Sequence, residues 1–134
     1  MPDIREGGCL CGAVRYSVDW SPMVVATCCC KNCQRQAGSA MSVIAMMPKA
    51  ALSLTGVLKS YEDHGESGNP LMRNFCPDCG APVTSEIPAA PELIILKVGS
   101  LDVANDVVPT VNYWTCSAAS WVKFPDGSMS LEKQ

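Results

Sequence analysis

Four thiols crowd into the stretch TCCCKNC, where Cys28, Cys29, Cys30 and Cys33 lie between Thr27 and the next turn signal. The chain has nine cysteines, and the other five are Cys9, Cys11, Cys76, Cys79 and Cys116. A thiolate is a nucleophile and a soft metal ligand, so thiols at short, regular spacing point to metal or redox chemistry. Spacing sorts most of them into three groups. Cys9 and Cys11 form a C-x-C followed by Gly12. Cys28, Cys30 and Cys33 form C-x-C-x-x-C. Cys76-Pro77-Asp78-Cys79-Gly80 is a C-P-x-C-G knuckle. Zinc takes about four thiolates in a tetrahedron at roughly 2.3 Å. A C-x-x-C turn brings two sulfurs to one point; Pro77 pre-sets that turn, and Gly80 suits a position forced to positive φ. A C-x-C on a strand works differently, because residues i and i+2 project from one face.

If Thr27 to Cys30 is extended, Cys28 and Cys30 point one way and Cys29 the other, and Cys33 returns through a turn to join the first two. Cys29 and Cys116 then read as small buried hydrophobes. Spacing leaves two partitions. Cys30, Cys33, Cys76 and Cys79 would form a zinc ribbon, stranding Cys9, Cys11 and Cys28. Alternatively, Cys9 and Cys11 pair with Cys76 and Cys79 in a closed four-thiolate site. Cys28, Cys30 and Cys33 then remain as a three-thiolate site with an open position, and only Cys29 and Cys116 are left over.

The elements that must position these groups are short. The 134 residues suit one domain, 1–134, large enough to bury about two-thirds of its unfolded surface. Hydrophobic content of 48% and charged content of 17% describe a globular chain. The net charge is -3, and no two Lys or Arg residues are adjacent, which argues against nucleic-acid binding. No basic amphipathic face suits a membrane surface, and the apolar region Ala40 to Leu54 is broken by Pro48 and Lys49. The first residues lack the apolar core of a signal peptide, so a soluble cytoplasmic protein is expected. Cysteines in a reducing compartment favour metal or redox roles over disulfides. Alternation at Val14, Tyr16 and Val18 predicts a half-buried strand. Met23 to Cys28, Ser42 to Met47, Val57 to Tyr61, Leu71 to Phe75 and Leu93 to Val98 read as further strands. Ten glycines and ten prolines leave room only for helical turns after Asn32 and Pro48. The expectation is an all-β fold of short antiparallel strands. The polar loop His64 to Pro70 reads as a hairpin connection, His64 as a surface residue, and Trp114 and Trp121 as core.

The pattern resembles the glutathione-dependent formaldehyde-activating enzyme family, or S-(hydroxymethyl)glutathione synthase-like proteins. The matching residues are Gly8-Cys9-Leu10-Cys11-Gly12-Ala13-Val14-Arg15-Tyr16, then Cys28-x-Cys30-x-x-Cys33 with Gly38. They continue in Arg73-Asn74-Phe75-Cys76-Pro77-Asp78-Cys79-Gly80 and Gly99-Ser100-Leu101-Asp102, and end with Trp114 and Trp121. The resemblance implies an Mss4-like zinc-bound fold with two Zn2+ sites. Cys9, Cys11, Cys76 and Cys79 would hold a structural zinc. Cys28, Cys30 and Cys33 would hold a second, open to partial occupancy and to catalysis. Where the family commonly carries histidine between the first two ligands of the second site, this chain has Cys29. The implied activity is that of a carbon–sulfur lyase or synthase joining a small-molecule thiol such as glutathione reversibly to formaldehyde or another small aldehyde. Glutathione carries carboxylates, which makes Lys31, Arg35 and Arg73 candidate anchors, although each reads equally as a solvated surface charge. The alternative is a non-catalytic zinc module for protein interaction or for metal or redox handling.

Overall fold

The computed structural model describes residues 3–65 and 68–133. The chain runs β1 (Ile4–Gly8), β2 (Arg15–Asp19), β3 (Val24–Cys28), α1 (Lys31–Ala37), β4 (Ser42–Pro48), β5 (Leu52–Thr55), β6 (Lys59–Asp63) and β7 (Leu71–Phe75). It continues through β8 (Pro82–Glu86), β9 (Leu93–Lys97), β10 (Val111–Tyr113) and β11 (Met129–Ser130). The fold is all-β around one short helix. Two sheets result: a small one in the order β1-β2-β5, and a large one in the order β11-β10-β3-β4-β9-β8-β7-β6. Pairing is antiparallel except where β10 lies parallel to both β3 and β11.

Alternation explains how the sheets stack. On β2, Tyr16 and Val18 are buried, and Val14 just before the strand is fully buried with them. They meet Ala45 and Met47 of β4, Val83 of β8, and Ile94 and Leu96 of β9 in one apolar cluster. That cluster fills the space between the small sheet and one face of the large one. The register places the intervening residues on the opposite face of the large sheet. There Cys28 pairs with Ser42, Ile44 with Lys97, Ile95 with Ser85, and Ser85 with Arg73. Helix α1 lies over this second face: its Asn32 donates to Asp63 of β6 at 3.0 Å, and its Gln36 accepts from Arg73 of β7.

One glycine fixes how closely the sheets approach. A Cβ on Gly7 would come within 2.3 Å of the Ser100 carbonyl oxygen and 2.4 Å of the Tyr16 hydroxyl. Only a hydrogen fits there. The contact lets the Tyr16 hydroxyl donate to Ser100 Oγ at 2.7 Å, while Ser100 donates to the Lys97 carbonyl at 2.7 Å. The end of β9 is thereby tied to β2.

Several expectations change. The strand expected from Val57 begins only at Lys59, and Val57 is exposed. Trp121 is 71% exposed and Trp114 is half-buried, so neither is core, and Cys116 is exposed. All three lie in or beyond the turn that follows β10, whose backbone is held by hydrogen bonds from Trp114, Thr115 and Cys116 to residues 131–133. His64 is on the surface, as expected. Glu66 and Ser67 of its loop fall outside the described residues. Among the described residues, no helix is long and apolar enough to cross a membrane.

Leu96 is fully buried at the centre of the core, whereas Met129 on β11 is 60% exposed. Leu96→Ala is expected to cost about 2–5 kcal/mol. Met129→Ala should stay within about 0.5 kcal/mol. Urea denaturation of the two variants beside the wild type checks the contrast.

Candidate metal and thiol sites

The first cluster forms where strands from the two sheets end together. β1 leads directly to Cys9 and Cys11, and β7 leads directly to Cys76 and Cys79. The four sulfurs lie within 4.8 Å of one another. Cys9 Sγ is 3.6 Å from Cys11 Sγ, and Cys11 Sγ is 3.8 Å from Cys76 Sγ. Backbone N–H groups face the sulfurs: Val14 donates to Cys9 Sγ at 3.2 Å and Asp78 to Cys76 Sγ at 3.4 Å. Gly80 takes φ 78°, as the knuckle requires, and its N–H closes the turn onto the Cys76 carbonyl at 2.9 Å. The Ala81 N–H, followed by that of Cys11, holds the Cys79 thiol down at about 6. Cys9 and Cys76 are buried in the apolar core, with Cys79 packed against it.

The second cluster sits where β3 passes into α1. Cys28 ends the strand and Cys30 is the helix N-cap, in extended conformation at φ -60° and ψ 154°. Cys33 lies in the first helical turn and its N–H donates to Cys30 Sγ at 3.4 Å. Cys30 thus occupies the place a serine or aspartate usually takes, and the cap itself converges the ligands. The Cys28, Cys30 and Cys33 sulfurs also lie within 4.8 Å of one another. Among the described residues, no fourth Cys, His, Asp or Glu joins them. Cys29 is fully buried outside the group, as alternation predicts. Its N–H donates to the Tyr113 carbonyl and its carbonyl accepts from Gln34 Nε2 at 2.7 Å.

The charge environment of the second cluster is the feature that sequence reasoning missed. Three thiols this close do not all ionise unaided, and Cys33 takes the charge. Donation from Cys28 and Cys30 lowers it to about 2, with a further contribution from Arg73. Cys28 is pushed up, first by its hydrogen bond with Cys30 and then by that with Cys33. Arg73 is only 5% exposed, so it is no solvated surface charge. Its Nε donates to Asp63 at 2.8 Å, Nη1 to Gln36 at 3.5 Å, and Nη2 faces Cys33 Sγ at 3.8 Å. Lys97 is likewise buried, at 6% exposure, and its ammonium donates to Ser42 Oγ at 2.7 Å. Burial pulls the Lys97 pKa down, against the charge of Cys33 and its neighbours. Lys31 and Arg35 are exposed on α1. Lys97, Ser42 and Asp63 carried no motif. The available signal was a lysine ending the otherwise apolar run LIILK at the parity of the covered face.

An all-β chain that gathers seven thiols into a closed group of four and an open group of three is a protein with two sites able to hold metal ions. The profile of the glutathione-dependent formaldehyde-activating enzyme family matches residues 4–117, and the chain belongs to that family. The fold is also similar to that in a crystal structure of a Rhodobacter sphaeroides protein, a Northeast Structural Genomics target. The two share 22% sequence identity with a TM-score of 0.58, over 75% of this chain and 90% of the other.

The Arg73–Asp63 pair has side chains 6% and 14% exposed, so removing one partner leaves a buried charge. Asp63→Asn is expected to cost about 3–5 kcal/mol, and the double variant Asp63→Leu with Arg73→Met to recover most of the loss. Burial raises the Asp63 pKa, but the hydrogen bond and charge of Arg73 outweigh it and hold the carboxyl below the usual range. Its contribution is therefore present above the unfolded-state value and is lost as pH falls through the folded one. Denaturation across the acid limb should show that component in the wild type and not in Asp63→Asn.

Proposed function

We propose that this chain joins a small-molecule thiol such as glutathione reversibly to formaldehyde or a similar small aldehyde, at a zinc held by Cys28, Cys30 and Cys33. A second zinc, held by Cys9, Cys11, Cys76 and Cys79, would be structural in a fold of the Mss4-like type. The observation that carries this reading is a three-sulfur cluster with no fourth donor among the described residues, set beside two buried cations.

The donor sets fit zinc. Sulfurs at the corners of a tetrahedron with bonds of about 2.3 Å lie about 3.8 Å apart, which matches the spacings in the four-thiol cluster. Charge fits as well. Three thiolates and a divalent cation leave one net negative charge, and the buried Arg73, Lys97 and Asp63 together supply one positive. The face is thus close to neutral when three thiolates hold a divalent cation, as it is when Cys33 alone is ionised, so a filled site adds no unbalanced buried charge. When bound, zinc supplies an acidifying partner that lets an incoming thiol exist as thiolate at neutral pH.

The chain's own residues supply the rest. Helix α1 and β3 hold the sulfurs so that an outside sulfur completes the set. Arg73, engaged by Asp63, Gln36 and Cys33, neutralises the cluster from below. Lys31 and Arg35 stay solvent-exposed on α1, within the stretch that carries the ligands, where they can meet the carboxylates of glutathione. In the reaction the thiol loses its proton, its sulfur adds to the aldehyde carbon, and the carbonyl electron pair becomes an alkoxide that takes up a proton. The product is the S-hydroxyalkyl adduct, and each step runs in either direction.

Elemental analysis is expected to give close to two zinc ions per chain. Cys76→Ser should lose the fold, because a structural thiolate zinc contributes on the order of 10 kcal/mol to folding. Cys30→Ser should stay folded with about one zinc. NMR exchange between glutathione and formaldehyde tests the reaction: acceleration over the uncatalysed rate by wild type, abolished in Cys30→Ser, is the expected result, and no acceleration by wild type overturns the reading. Arg35→Ala should weaken glutathione by up to about fivefold, the range of an exposed ion pair.

A further inference from the structure

Lys97 is a buried cation with a partner for only one of its three N–H groups. Its ammonium donates to Ser42 Oγ, and no other hydrogen bond or ion pair to it is found among the described residues. Beyond Ser42 the ammonium is met only through space, by the charge of Cys33 and its neighbours Cys28 and Cys30, so two of its N–H groups are left for an acceptor arriving at that cluster. Its position says which oxygen. Ser42 is the direct cross-strand partner of Cys28, and the register puts Lys97, Ser42 and Cys28 on one face of the large sheet. Directly opposed side chains in such a pair begin about 5 Å apart. A sulfur completing the three-thiol cluster would lie about 3.8 Å from Cys28 Sγ. The unmatched donors therefore sit beside the place where the substrate sulfur arrives. The distant carboxylates of a peptide thiol are not what they would meet.

Resting on the reading that the open cluster takes an outside thiol, we infer that Lys97, held by Ser42, is the subsite for an oxygen one carbon removed from the substrate sulfur. In the reaction that oxygen belongs to the aldehyde. As the sulfur–carbon bond forms, the carbonyl π pair moves onto the oxygen, and the ammonium stabilises the alkoxide until it is protonated. A charged donor in an enclosed site acts most strongly on charge that develops there. Arg73 is held away from this part, since three of its five N–H groups, one on each nitrogen, face Asp63, Gln36 and Cys33.

The test uses simple thiols as probes on the zinc-loaded protein, so it does not depend on turnover. Thioglycolate places its carboxylate oxygens two carbons from sulfur, one carbon beyond the oxygen of the adduct, 3-mercaptopropionate places them three carbons away, and ethanethiol has none. Titration calorimetry should show wild type binding thioglycolate about tenfold or more tighter than ethanethiol, as a charge-assisted hydrogen bond provides, with 3-mercaptopropionate in between. Lys97→Met should bring the ratio close to one, whatever its effect on ethanethiol affinity itself. An equal ratio in wild type and Lys97→Met overturns the inference, as does failure of the wild type to bind any of the three. If Lys97→Met does not fold or loses its second zinc, Ser42→Ala decides. That variant keeps the ammonium and removes its anchor, so a reduced ratio of thioglycolate to ethanethiol affinity supports the subsite and an unchanged ratio overturns it. Glutathione–formaldehyde exchange measured in parallel separates this inference from the proposed reaction. A Lys97-dependent preference without accelerated exchange rejects the reaction and keeps the subsite.

Discussion

Two sheets meet at four sulfurs. Cys9 and Cys11 follow the last residue of β1 in the small sheet, Cys76 and Cys79 follow the last of β7 in the large one, and all four sulfurs lie within 4.8 Å of one another. Two of these cysteines belong to the apolar core itself, which runs from Val14 and Tyr16 through Met47 to Leu96. The packing of the small sheet on the large and the convergence of the sulfurs therefore depend on each other. A core that shifted β2 by one residue would turn Tyr16 and Val18 outward and move the adjoining turn with them. The close contact at Gly7 limits the same movement from the other edge of β2. Held this way, the large sheet presents its second face to α1 with little freedom, and that face carries the open cluster.

The two clusters differ because of how each is closed. Around the first, four thiols complete the donor set, with backbone N–H groups facing the sulfurs and the core walling Cys9 and Cys76, while Cys11 stays exposed. At the second, a helix cap does the gathering. A cap uses the end of a strand and the first turn of a helix, and those elements approach the sulfurs from one side only. What encloses the other side is charge: Arg73 fixed by Asp63, and Lys97 on Ser42. Cations placed in a sheet face beside thiols are costly unless the thiols are ionised. Sheet registry and cluster chemistry are in this way coupled, since Arg73 and Lys97 arrive by strand pairing and not by any local motif.

That coupling explains how much could be read in advance. Spacing and alternation carried the strands at β2, β3, β4, β7 and β9, the helical turns after Asn32 and Pro48, and the three local cysteine groups, because each is a local pattern, whereas the joining of Cys9 and Cys11 to Cys76 and Cys79 was left between two partitions. They failed where the signal is non-local. β8 opens with proline and is otherwise largely polar, yet it is buried because β7 and β9 flank it. β10 has three residues and joins by parallel pairing, which no hairpin signal announces. Trp114 and Trp121 looked like core by residue type, but Trp121 is exposed and Trp114 only half-buried beside Lys133. Arg73 looked like surface by residue type, but the register places it under α1. Lys97 is the same case, with the added hint that its strand is apolar everywhere else.

The cysteine of the TCCCKNC stretch that stays out of the open cluster can be placed by the same reasoning. Cys29 lies between two ligands in sequence, and the extended backbone turns it to the other side of the strand. Its amide and carbonyl tie β3 to the Tyr113 carbonyl and to Gln34 of α1, and its side chain is fully enclosed. Burial raises its thiol pKa, with the charges of Cys33 and Cys30 adding to the effect, which keeps it a neutral, compact group at the seam. A residue in that position shapes how tightly the helix cap seats on β3 and β10. The donor set of the open cluster is defined without it, because its side chain lies behind the three converging sulfurs.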